Sequence, residues 1–105
     1  MAEFAVRDAG DGRHEVAASG EVDIESVERL LEVSRECLDA SPQVLALDLA
    51  GVTFIDSSGL GALVRIRKAA DARNADLVLQ NVPGSVHRLL EVTGLSEVFT
   101  TSPSG

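Results

Sequence analysis

Two short apolar runs, QVLALDL (43–49) and DLVLQNV (76–82), constrain this chain more than any other feature. Segments with so little polar–apolar alternation are strands covered on both sides or central in a sheet. Between them, SSGLGALVRIRKAADARNA sets Leu60, Leu63 and Val64 on one helical stripe and turns Arg65, Arg67 and Lys68 to water. Asn74 is a residue that tolerates the left-handed conformation, and so a natural helix stop. Strand, helix and strand in this order predict a parallel βαβ unit.

The flanking segments extend the pattern. FAVRD and HEVAASGEV surround the turn formers DAGDGR and read as a hairpin. In GEVDIESVERLLEVSRECLDASP, Val27, Leu30, Leu31, Val33, Cys37 and Leu38 recur at helical spacing. Asp23 caps that helix, Glu25 favours its first turn, and Ser41-Pro42 stops it. GSVHRLLEVTG forms a shorter helix with Val86, Leu89 and Leu90 inward, closed by Gly94. LSEVF is expected to be a last short strand, and TTSPSG (100–105) a polar tail that frays. The predicted order is β-β-α-β-α-β-α-β, an α/β fold with a mixed sheet of four or five strands and helices near 24–40, 57–73 and 84–93. The 105 residues fit one domain, with its core over about 4–99.

Composition removes several classes of function. Seventeen acidic against nine basic side chains give a formal net charge of −8, which repels nucleic acid and anionic lipid. Three Phe and no Trp or Tyr leave no aromatic platform for stacking bases. Cys37 is the single cysteine, so an internal disulfide and a thiolate metal cluster are both excluded. It falls on an apolar helical stripe and is expected to be a core thiol. His14 and His87 lie apart without metal-ligand spacing. No apolar run reaches membrane-spanning length and MAEFAVRDAG lacks a signal-peptide pattern, so a cytoplasmic protein is expected.

The stretch FIDSSGLG (54–61) carries the remaining information. A nucleophile elbow needs G-x-S-x-G, but Ile55 and Asp56 precede the serines, and no histidine motif supports a Ser nucleophile. A Walker loop is absent, and Gly59-x-Gly61 lacks the third glycine of a dinucleotide fingerprint. A receiver-domain reading, with Asp56 as the phospho-acceptor, lacks the acidic pair needed for magnesium after the first strand. Neither catalytic activity nor a cofactor nor a metal is expected. Ser57 falls where the second helix begins and is expected to be its N-cap, outside the regular helix, with Ser58 turned toward the domain. Gly59 and Gly61 each disfavour the helix by up to about 1 kcal/mol relative to Ala. They are expected to keep the surface over the serine open to a close-approaching protein, where the helix N-terminus tolerates a phosphate.

LDLAGVTFIDSSGLGALVRIRKAA resembles the central signature of STAS domains, in particular the stand-alone anti-sigma factor antagonists of bacteria. GEVD (20–23) is similar to that family's opening, VTGLSEVF (92–99) to its closing segment, and the likeness runs from about Phe4 to Phe99. The resemblance implies a STAS-like fold and a regulatory switch. The serine after the motif's aspartate, here Ser57, would be phosphorylated by an anti-sigma factor that is also a serine kinase, and a PP2C-type phosphatase would reset it. The unphosphorylated protein would bind the anti-sigma factor through Asp23, Asp56, Ser57, Ser58, Gly59, Leu60 and Gly61, and so free the sigma factor. The C-terminal helix of longer relatives is expected to be missing or vestigial. An alternative within the same fold is an interaction subunit of a lipid-transport or stress-signalling complex without phosphorylation. A third is a small phosphate- or nucleotide-binding protein.

Overall fold

A computed structural model describes residues 1–103. It contains β1 (Ala2–Gly10), β2 (Arg13–Val22), α1 (Ile24–Asp39), β3 (Val44–Ile55), α2 (Ser57–Ala72), β4 (Asp76–Val82), α3 (Gly84–Val92) and β5 (Thr100–Pro103). The strands form one five-stranded sheet in the order β1-β2-β3-β4-β5. β1 and β2 are antiparallel, and every later pair is parallel. Each helix therefore bridges two neighbouring parallel strands, and every crossover steps in the same direction. Right-handed crossovers of that kind place all three helices on one face of the sheet.

The core lies under that helical face. Val16 and Ala18 of β2, Leu45 and Leu47 of β3, and Leu77 and Leu79 of β4 are buried there, opposite Leu30, Leu31 and Leu38 of α1 and Leu63, Ile66 and Ala70 of α2. Burying a leucine side chain contributes roughly 1.5–3 kcal/mol, so leucines, not aromatics, dominate the stability. Cys37 is buried at the end of the α1 stripe, and burial pushes its thiol pKa up.

The opposite face has a polar cover in place of helices. Arg13 donates to Gln80, and Gln80 reaches Glu15 (3.5 Å), a bond that crosses β3 where Ala46 is fully buried. Arg7 joins from β1, donating to Glu15 at 2.6 Å. Partial burial raises the Glu15 pKa, but the hydrogen bond and charge of Arg7, with the bonds from Arg13 and Gln80, outweigh it and hold the carboxylate below its ordinary range. QVLALDL is thus covered on both sides, by leucines and by this strap.

Three boundaries differ from the sequence expectation. β3 does not end near Asp48-Leu49. β4 pairs with it only as far as Asp48, but β2 follows it to Ile55 through two register shifts. Pairing on one side alone is enough to keep AGVTFI extended. LSEVF is not a strand: after Gly94 (φ +77) the chain turns back, with the N–H groups of Leu95 and Ser96 both donating to the Leu90 carbonyl. The turn seats Phe99 in the core. The last strand is Thr100–Pro103, in the segment expected to fray, because β4 offers it an open edge at Val78 and Leu79. Residues 104 and 105 of that predicted tail lie outside the described residues.

Candidate functional site

The register of β2 against β3 puts Val22 beside Ile55 at the carboxyl ends of the two strands. One residue later each chain segment reaches an aspartate and enters a helix. Asp23 (φ −120, ψ −173) and Asp56 (φ −112, ψ −171) are both N-caps in extended conformation, so the two strand-to-helix turns lie side by side with the same backbone.

At the second turn the sequence expectation shifts by one residue. The N-cap is Asp56, not Ser57, and Ser57 is the first helical residue. A carboxylate accepts several hydrogen bonds at once, which a serine hydroxyl in this position cannot. Asp56 Oδ1 accepts from the backbone N–H of Ser58 (3.0 Å) and of Gly59 (3.1 Å) and from the Ser58 hydroxyl (2.5 Å). The Ser58 hydroxyl bond, then the Gly59 N–H, lower the Asp56 pKa and outweigh the opposing effect of desolvation, with the Ser58 N–H adding to the decrease. Ser58 is thereby fixed and half-buried. Ser57 is exposed, and among the described residues its hydroxyl has no hydrogen-bond partner.

The two glycines have different roles, where the sequence suggested one. A Cβ on Gly59 would lie 2.5 Å from Ile55 Cγ1 and 2.9 Å from the Val22 carbonyl oxygen. Gly59 is buried because α2 starts directly on the ends of both strands; it is a packing residue, not a surface opening. Gly61 is exposed, and a Cβ on it would meet nothing within 4 Å, so it alone leaves space beside the first turn. Leu60 belongs to the core at 5% exposure. Asp23, Asp56, Ser57, Ser58 and Gly61 thus share one surface, and Gly59 and Leu60 support it from beneath.

Two exposed residues close in sequence to the caps were not anticipated. Ile24 is 76% exposed and Phe54 50% exposed, both large and apolar. Ile24 occupies in α1 the position that Ser57 occupies in α2, and Phe54 pairs with Glu21 at the end of β3. The signal lay in the sequence as an apolar residue directly after a cap and another two residues before one. Reading it required the strand to continue through Ile55.

Comparison with known proteins bears on the family and the fold. The family model for the STAS domain matches residues 11–104. The anti-sigma-B factor antagonist of Staphylococcus aureus is 32% identical over 89 residues, covering 85% of this chain and 82% of that protein. The crystal structure of an anti-sigma factor antagonist from Mycobacterium paratuberculosis superposes with a TM-score of 0.86 at 26% identity, over 98% of this chain and 86% of that one. SpoIIAA shares the fold in its unphosphorylated form (TM-score 0.80, 18% identity, 95% of this chain and 88% of that one). It does so too in its phosphorylated form from Bacillus (TM-score 0.74, 17% identity, 95% and 91%). A mixed sheet with its helices on one face, a D-S-S-G-L-G turn at the end of a central strand, and a family match over nearly the whole chain lead to one conclusion: the chain belongs to the STAS domain family.

Proposed function

We propose that this chain is an anti-sigma factor antagonist switched by phosphorylation of Ser57. In this reading the unphosphorylated protein docks on an anti-sigma factor that is also a serine kinase, and so releases a sigma factor. Phosphate on Ser57 ends the binding, and a PP2C-type phosphatase restores it. The protein acts in the cytoplasm as a binding module and a kinase substrate, with no chemistry of its own. The observation that carries the reading is the contrast between adjacent hydroxyls: Ser58 is engaged by Asp56, and Ser57 is exposed and unengaged. The named role of the Staphylococcus aureus relative, and the existence of SpoIIAA in two phosphorylation states, support it.

The geometry also supplies a reason for the switch. The N–H groups of Ser58 and Gly59 are already taken by Asp56, and that of Leu60 by the Asp56 carbonyl. A phosphate on Ser57 would bring about −1.5 to −2 charges beside the Asp56 carboxylate, with few local donors left to neutralise it. The fold tolerates this at an exposed position. A partner seated on Ile24 and Phe54 does not, because it would have to bury an unpaired dianion. The test is a binding titration against the cognate anti-sigma factor. Unphosphorylated protein and Ser57→Ala should bind alike, and the phosphorylated protein should bind on the order of 100-fold more weakly. Equal binding by both states removes the switch and leaves an interaction subunit not controlled by phosphorylation.

A further inference from the structure

The two edges of the sheet are built differently. β5 is four residues long and ends on a proline, which keeps that edge from templating another strand. β1 is nine residues long, and from Ala2 to Arg7 it has no proline, lysine or bulge; its one register shift falls between Asp8 and Gly10. Such an edge is open to pairing.

The direction of its free groups follows from one bond. The Glu21 N–H donates to the Met1 carbonyl, so Met1 and Glu21 form a hydrogen-bonded pair. In an antiparallel ladder these pairs alternate. Glu3, Ala5 and Arg7 therefore bond to Ser19, Ala17 and Glu15, and Ala2, Phe4, Val6 and Asp8 turn their N–H and C=O groups outward.

We propose that β1 pairs antiparallel with β1 of a second copy of this chain about a two-fold axis at Ala5, joining two five-stranded sheets into one of ten strands. In that register Phe4 and Val6 of one copy face Val6 and Phe4 of the other, and Ala2 faces Asp8. All are outward-bonding positions, giving about eight inter-chain hydrogen bonds. Glu3 faces Arg7 on both sides of the axis, at the non-hydrogen-bonded positions where side chains approach most closely. The edge is thus complementary to itself in charge, and a small side chain, Ala5, lies on the axis where it faces its own copy. Val6, 54% exposed, gains an aromatic neighbour next to the core that Phe4 already touches. Arg7 keeps donors for Glu3 of the other copy while bonded to Glu15, because its side chain is 71% exposed and its guanidinium carries five N–H groups. The pairing is two strands away from β3 and leaves Ser57 open.

Sedimentation equilibrium over a concentration series tests this. The wild type should dimerise reversibly below about 1 mM. Val6→Pro removes an outward N–H without touching the β1–β2 ladder, so the protein should stay folded by circular dichroism and dimerise at least about tenfold more weakly. Glu3→Arg and Arg7→Glu should each be monomeric alone, because each homodimer sets like charges opposite. Mixed together they should form a heterodimer, in which both cross-strand pairs are again opposite in sign. A wild type that stays monomeric to about 1 mM overturns the proposal. So does a dimer indifferent to Val6→Pro, or a mixture of the two charge variants that does not associate.

Discussion

The turns at Asp23 and Asp56 are a natural controlled pair. Both follow a parallel strand, both use an aspartate cap with nearly the same φ and ψ, and the register makes them neighbours. They differ in what the first helical turn does with its hydroxyls. In α1 the serine is at the third position, buried, and it closes a capping box: Ser26 Oγ accepts from the Asp23 N–H (3.0 Å), and its one hydrogen has the Asp23 carbonyl (3.1 Å) or the Glu21 carbonyl (3.3 Å) as acceptor. The first position is Ile24. In α2 two serines hold the first and second positions, and the aspartate binds only the second. One turn uses its hydroxyl to close the structure; the other holds one hydroxyl fixed and leaves its neighbour free. The residue at the start of α2 is thus one that the helix cap does not depend on.

That contrast can be attacked from either side. The largest effect is expected at Gly59. Gly59→Ala forces the α2 turn off the ends of β2 and β3 and should destabilise the protein by about 1–3 kcal/mol in urea unfolding. Gly61→Ala, in open space on the same helix, should stabilise it by roughly 0.5–1 kcal/mol. A loss at both sites would mean that the first turn needs glycine for flexibility and not for packing.

Next in size is the exchange of serines. Ser26→Ala should lose about 1–2 kcal/mol, because it leaves the Asp23 N–H without its partner. Ser58→Ala should lose less than about 1 kcal/mol, since Asp56 keeps two backbone N–H groups. Ser57→Ala should be neutral within about 0.5 kcal/mol. Equal losses for Ser57→Ala and Ser26→Ala in the same unfolding series would erase the distinction between the turns.

The weakest effect is in pH. The folded-state pKa of Asp56 lies below its ordinary 3.8, so its contribution to stability is complete above that value and is lost as pH falls through the lower folded value. Asp56→Asn should therefore reduce the slope of stability against pH only below about pH 4. Glu15, also depressed, acts in the same acid range from the other face of the sheet. A changed slope near neutral pH in Asp56→Asn would show that another group was coupled to this cap.

How much of this was readable in advance depended on whether the cause was local. The apolar runs and helical stripes located α1, α2 and α3 to within a residue or so, because those patterns are periodic along the chain. The hairpin followed from its turn formers. What failed was decided across the sheet. AGVTFI is extended because β2 lies beside it, and TTSP because β4 has a free edge. TTSP has no strand pattern of its own, whereas the strand formers Val52, Thr53, Phe54 and Ile55 are masked by Ala50-Gly51, which interrupts the apolar run. LSEVF has apolar residues enough for a strand, but they are used to close α3 and bury Phe99. The cap slipped by one position because aspartate and serine are both good caps and D-S-S offers three candidates. The clue was non-local: V-D and I-D end two strands in register, so the same residue type caps both helices. The exposure of Phe54 was hidden for the same reason.

The proposed switch requires that Ser57, and not its neighbour, take the phosphate. Incubation of the wild type, Ser57→Ala and Ser58→Ala with the cognate serine-kinase anti-sigma factor and magnesium ATP, followed by phosphosite mapping in the mass spectrometer, tests it directly. One phosphate is expected on Ser57 in the wild type and in Ser58→Ala, and none in Ser57→Ala. Phosphate on Ser58, or full phosphorylation of Ser57→Ala, would refute the assignment.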